Sequence, residues 1–146
     1  MYPAYFSLVR DAADTEMIEL ELSSVATTVG CLLELVDGAS TWTLATSSSN
    51  ARTLKAVAQE VVASGAAVVK AILVNPTQLW VAATTNNAAT ADTGDRMVLT
   101  DNLTVNNTGT DSTGAAAVFQ QIKVVGATTD KRILGRFTGG YGNATV

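Results

Sequence analysis

Gly65-Ala-Ala-Val-Val-Lys-Ala-Ile-Leu-Val-Asn-Pro-Thr-Gln-Leu-Trp-Val-Ala-Ala-Thr84 is the stretch on which the fold of this chain turns. Two apolar, β-branched runs flank Asn75-Pro76-Thr77, and that composition reads as a strand, a tight connection and a second strand. Strands are therefore expected near Ala67 to Val74 and near Gln78 to Ala83, as the central pair of one sheet, with Trp80 in the core. This is the most hydrophobic part of the chain. Lys70 interrupts it, so no membrane span is expected.

On the N-terminal side, Ile18, Leu20 and Leu22 alternate with Met17, Glu19 and Glu21, the period-two pattern of a strand with one wet face. Glu16, Glu19 and Glu21 read as that solvated face, because no Asp, Asn or Gly loop accompanies them as calcium coordination requires. Gly30 to Val36 runs into Asp37-Gly38, and Thr41 to Thr46 alternates away from it, which marks a β-hairpin. Residues 51–64 support two structures. Leu54, Val57, Ala58, Val61 and Val62 fall at helical spacing, with Asn50 placed as an N-cap and Gly65 just past the end, yet the same run also reads as an extended strand.

On the C-terminal side the composition shifts to Thr, Asn, Ala, Asp and Gly between Thr85 and Gly114, and Arg96 to Thr100 is expected as a strand dividing two loops. Asp92, Asp95 and Asp101, with Gly94 among them, read as turn residues. Ala116 to Val125 and Lys131 to Phe137 form a closing hairpin across Gly126 to Asp130, in which Gly135 marks a bulge or a close backbone approach. The expected fold is mainly β. It consists of a single small β-barrel or β-sandwich-like domain over 15–137, with at most one short helix at about 51–64, an extended N-terminal arm over 1–14 and a flexible Gly-rich tail over 138–146.

Composition narrows the function. The 146 residues fit one domain with a continuous core. Only 15% of residues are charged, and 21 threonines take much of the remaining share, which suits pleated surfaces. A net charge of −4 with scattered basic residues argues against nucleic-acid binding. The single cysteine, Cys31, makes no internal disulfide and reads as a buried, inert thiol. No basic region followed by an apolar core opens the chain, so no signal peptide is expected. Asn-X-Thr triplets at Asn102, Asn106 and Asn143 then follow from composition rather than from glycosylation.

With no histidine, Ser-His and Cys-His nucleophiles and His-containing metal sites are excluded. A Ser-Lys pair or a two-carboxylate site has no local signature. The expectation is a protein that is not an enzyme, with no catalytic residue, no cofactor and no metal. Three of the eight aromatic residues, Tyr2, Tyr5 and Phe6, lie in the first six positions. Aromatic side chains bury much area at little entropic cost, so the arm should dock, either on its own core or on a neighbouring subunit. With Tyr141 of the tail, these residues are the candidate interface.

A layout emerges from Leu35-Val-Asp-Gly38, a Ser/Thr break, Val61-Val-Ala-Ser-Gly-Ala66, Ala71-Ile-Leu-Val-Asn-Pro76 and Leu79-Trp-Val-Ala82. It continues through Gly94-Asp-Arg-Met-Val-Leu-Thr100, Thr104-Val-Asn-Asn-Thr-Gly-Thr110 and Val125-Gly-Ala-Thr-Thr-Asp-Lys-Arg-Ile-Leu134. In that order, over residues 30–137, the chain resembles the small capsid decoration, or cement, proteins of tailed bacteriophages. The resemblance implies a β-barrel-like module on the exterior of an icosahedral head, made in the host cytoplasm, self-associated as a trimer and bound to the major capsid protein. It implies no catalytic residues, and an extended segment at Leu54 to Val62. Two alternatives stand beside it: a carbohydrate-binding or adhesive β module using exposed Trp, Tyr and Asn, and another virion part such as a tail-tube or head-closure subunit.

Overall fold

Alternating burial along the chain builds eleven strands among the residues that the computed structural model describes, 4–10, 17–75, 77–110 and 117–138. The protein is mainly β: among the described residues 46% are strand and 5% helix, and no helix has seven or more residues. The first half contributes β1 (Ser7–Arg10), β2 (Met17–Glu21), β3 (Leu32–Leu35), β4 (Trp42–Leu44), β5 (Lys55–Ala58) and β6 (Val68–Leu73). The second contributes β7 (Leu79–Thr84), β8 (Arg96–Leu99), β9 (Thr104–Thr110), β10 (Phe119–Val124) and β11 (Arg132–Phe137).

Strands β7 to β11 close into a five-stranded barrel in the order β7-β11-β10-β8-β9 and back to β7. Every neighbouring pair is antiparallel except β7 and β9, which run parallel at Ala83↔Thr104 and Thr84↔Val105. Strands β2 to β6 form a second sheet in the order β2-β6-β5-β3-β4, and a parallel bridge between Leu22 and Trp42 draws its outer strands together. Counted from its own first strand, each set follows the order first, fifth, fourth, second, third, with the first and third parallel. The chain is one five-strand plan used twice.

The backbone hydrogen bonds repeat with the topology. Leu22 N–H donates to Ala67 O at 2.9 Å as Thr84 N–H donates to Lys131 O at 3.0 Å, and Gly30 to Ala58 O as Gly94 to Gln121 O, both at 2.8 Å. Ser23 to Trp42 O matches Thr85 to Val105 O, and Val74 to Lys55 O matches Thr138 to Val118 O. Gly30 and Gly94 both take positive φ, +83° and +92°, a conformation that costs an L side chain roughly 1–2 kcal/mol. Equivalent positions are also buried: Leu33, Trp42, Ala56, Val69 and Ala71 inside the first unit correspond to Met97, Val105, Phe119, Ile133 and Gly135 inside the second. Trp42 stands where Val105 does and Ala56 where Phe119 does, so the two interiors differ in which strand carries the large side chain.

The two units share a core. On the outer wall of the first, Leu32, Val57 and Ile72 lie in register across β3, β5 and β6, and they cluster with Trp80, Phe119 and Phe137 of the barrel. Leu32 N–H also donates to Asn102 O at 2.7 Å across the junction. The same ladder on the second unit is Arg96, Gln120 and Arg136. One wall is dry, its counterpart polar.

Several expectations are revised by this arrangement. The strands at 68–73 and 79–84 exist, but they do not pair with each other: β6 lies between β2 and β5, whereas β7 is bordered by β11 on one edge and by β1 and β9 along the other. Asn75 to Gln78 is the crossover between units, held by Gln78, whose side chain accepts from Asn75 N–H at 3.0 Å and donates to Leu73 O at 3.1 Å. No helix forms at 51–64. Lys55 to Ala58 are all buried and pair with β3 and β6, and tertiary pairing of a strand dry on both faces overrides an amphipathic helical pattern that would leave one face wet. Asn50 makes an Asx turn instead of a helix cap, accepting from Arg52 N–H at 2.9 Å. Within the described residues two units repeat one strand order, and Thr138 N–H and Oγ1 donate to Val118 O and Ala117 O within the barrel.

Other expectations hold. Asp37-Gly38 turns the hairpin of β3 and β4, with Gly38 at φ +72°. The β10–β11 hairpin carries a register shift between Gln121 and Lys123, and a Cβ on Gly135 would overlap Gln120 O and the Phe119 ring. Gly135 is thus a close backbone approach beside a bulge.

Candidate interaction surface

The aromatic arm is the first candidate. Tyr2 and Tyr141 lie outside the described residues. Phe6 is 1% exposed and packs on Phe137 and Phe119 with ring centroids 5.1 and 5.9 Å apart. It therefore serves the protein's own core and is removed from the candidate interface, because its ring has no surface left for a partner. Beyond it β1 pairs with β7, while Phe6 N–H donates to Gly30 O at 3.2 Å. The arm staples one unit to the other.

Tyr5 is half-buried, and its ring lies on Gly30, where a Cβ would overlap the Cβ, Cγ and Cδ2 of Tyr5. Gly30→Ala is expected to lower the unfolding free energy by about 2 kcal/mol more than Gly94→Ala, through displacement of the arm in addition to the shared φ strain. At Gly94 nothing lies within 4 Å of the added carbon, so that variant measures strain alone. Urea titrations of both variants make the comparison, and equal losses would refute the clamp.

The chemistry-bearing groups lie inside or in turns. Lys55, 1% exposed, has its ammonium 3.5 Å from the Glu34 carboxylate and donates to Asn50 O at 2.6 Å and Thr53 O at 2.9 Å. Burial is the main cause that pushes the lysine down to about 8, and the Glu34 charge opposes it. Burial likewise raises the Cys31 thiol, as expected of an inert cysteine. Asp101 Oδ1 accepts from Leu103 N–H, Thr104 N–H and Thr104 Oγ1, which is turn chemistry. Among the described residues no three His, Cys, Asp or Glu side chains are grouped to hold a metal, and no helix is long and apolar enough to cross a membrane.

Both tryptophans are interior, Trp42 at 5% and Trp80 at 0% exposure, so neither offers a stacking platform for a sugar ring. Gln121, Gly135 and Trp80 form one row across β10, β11 and β7, and Gln121 Oε1 and Trp80 Nε1 are buried without a hydrogen-bond partner among the described residues. The outer walls remain as the candidate surface. β2 turns Met17, Glu19 and Glu21 outward. On the barrel, Arg96, Gln120, Lys123, Arg132, Leu134 and Arg136 stand opposite the buried positions of β8, β10 and β11. Sequence reasoning missed this second surface, because its four cations are spread over 41 positions and only strand register brings them together. No protein-family model matches the chain, and no curated protein matches it.

Proposed function

We propose that the protein is a structural virion component that binds the outer surface of a bacteriophage head, contacts the major capsid protein and stabilises the shell as a trimeric cement protein. The observation that carries this reading is a closed five-stranded barrel joined to a second sheet of the same strand order. The two units share one core and are stapled by the arm, leaving the outward sides of β2, β8, β10 and β11, with the Thr- and Asn-rich β9, as the surface available to partners. Such a body suits a role in which stability comes from area buried between rigid parts and from many identical contacts on one particle. The low charge and the layout of residues 30–137 support the same reading.

The test uses heads assembled without the protein. Adding the purified chain is expected to raise the temperature, and lower the salt concentration, at which the shells come apart, with the protein co-sedimenting on intact shells. Absence of binding under both stresses would overturn the proposal.

A further inference from the structure

We propose that copies of this chain associate head to tail, the cationic wall of β8, β10 and β11 on one copy seating against the acidic wall of β2 on the next. The proposal rests on the self-association put forward above and is independent of the shell.

Charge is sorted by strand. β8, β10 and β11 contain Arg96, Lys123, Arg132 and Arg136 and no acid, whereas β2 contains Glu19 and Glu21 and no base. On the cationic wall, Arg96, Gln120 and Arg136 are cross-strand neighbours. Gln120 orients this row, donating to Gly94 O at 2.9 Å and accepting from Arg136 Nη2 at 3.5 Å. Lys123 stands opposite Leu134, diagonal to both Arg132 and Arg136. Lys123 and Arg136 thus lie diagonally on one sheet face, both exposed, and a carboxylate surface laid against them is electrostatically complementary.

The acidic wall is the outward side of β2. Glu19 and Glu21 follow one another on the outward side of β2, and Glu60 lies beside them, its Oε1 accepting from Lys70 N–H. Lys70, opposite Glu19, is the one cation among these groups, so the wall keeps an excess of negative charge. Each wall also carries an exposed apolar side chain, Met17 at 56% on the acidic side and Ile122 at 40% on the cationic side. Charged groups interleaved with apolar area give both register and buried surface.

The position of the cationic row gives an independent reason. Its counterpart on the first unit, Leu32, Val57 and Ile72, is the wall through which the two units dock within one chain. The same place in the repeated fold is thus a contact surface once already, and on the second unit it faces outward with charge in place of hydrocarbon. Because the two walls belong to different units, the contact is heterologous. Repeated by rotation it closes a ring, as a cyclic trimer requires.

Sedimentation velocity of the full chain tests this. At about 20 mM salt the wild type is expected to sediment as a closed oligomer of three chains, shifting to single chains near 0.5 M, where the screening length falls to a few ångströms. K123E/R136E and E19K/E21K are each expected to sediment as single chains at low salt, with unchanged circular dichroism. The quadruple variant E19K/E21K/K123E/R136E, with the charges exchanged, is expected to regain the threefold mass. K123Q/R136Q serves if charge reversal impairs folding, and is expected to lower the association constant at least tenfold. A wild type that stays single overturns both this proposal and the self-association beneath it. An oligomer indifferent to these changes overturns the surfaces alone, as does a folded quadruple variant that stays single. Loss of shell binding without any change of mass assigns the cationic wall to the shell and overturns the contact between copies.

Discussion

Phe137→Ala is expected to lower the unfolding free energy by about 4 kcal/mol, the upper range for removing a buried aromatic ring. Phe137 is 1% exposed and sits at the junction of the arm, the barrel and the first unit. Its ring centroid lies 5.1 Å from that of Phe6, 5.2 Å from Phe119 and 5.7 Å from Trp80, the last two edge-on. The loss therefore combines hydrocarbon transfer, a cavity and three ring contacts. The walls cannot collapse to fill that cavity, because they are hydrogen-bonded strands of a closed barrel. For a chain of this size the thermal midpoint should fall by roughly 12 °C. Phe137→Leu should lose less than half as much, and Val61→Ala, at a side chain 71% exposed, should change stability by less than about 0.5 kcal/mol. Urea titration followed by tryptophan emission reads all three variants. A Phe137→Ala loss below about 1.5 kcal/mol would show that the shared core is not the centre of stability.

Lys55→Met is expected to cost about 3 kcal/mol at neutral pH, because it orphans two carbonyl oxygens and leaves Glu34, 17% exposed, without its counter-ion. The pH dependence identifies the cause. Below about pH 8 the ammonium is charged in folded and unfolded chains alike, and its desolvation is a constant cost. Above that value the folded chain gives up a proton that the unfolded chain keeps to about 10.4, so the unfolded state binds more protons and this group's contribution to stability rises with pH. Cys31 acts in the opposite sense: its thiol is raised by burial, so the unfolded chain loses that proton first and stability declines above about pH 8.5. The difference between wild type and Lys55→Met cancels the cysteine and every other shared group. It should widen between about pH 8 and 10.5, by at most about 1.4 kcal/mol per pH unit. Parallel profiles for the two proteins would exclude the depressed lysine.

The legible parts of the fold were those marked within a few residues. Alternation placed Ile18, Leu20 and Leu22 on the dry side of β2 and the glutamates on the wet side, and Asp37-Gly38 announced a hairpin. Gly135 was legible as a tight place, since a glycine inside an alternating run has few other reasons to be there. β9 was not legible: Thr104 to Thr110 has loop composition, and it becomes a strand by lying between β8 and β7 to close the barrel. β5 was ambiguous because its small apolar residues satisfy helical and extended spacing equally. Of the candidate interface, Phe6 was recognisable as an anchor, but which body it anchored was not. Leu33 to Gly38 and Met97 to Asn102 share only the spacing of their apolar residues and an Asp before the turn, too little to reveal the repeat.

By itself, then, the sequence determined a mainly β protein without histidine chemistry, the positions of most strands and, for β2, the face that is dry. The tertiary structure alone decided that the two strands of Gly65 to Thr84 part at Asn75, one to each unit, and that the fold is a single plan repeated. The physical reason lies in the two kinds of contact. A strand's faces differ chemically through its side chains, whereas its hydrogen-bonding edges carry the same N–H and C=O groups in every strand. Which strand occupies which edge is settled by closing the barrel between β7 and β9, by the bridge from Leu22 to Trp42 and by burying the wall of Leu32, Val57 and Ile72 in the core that holds Phe137, contacts that no local pattern encodes.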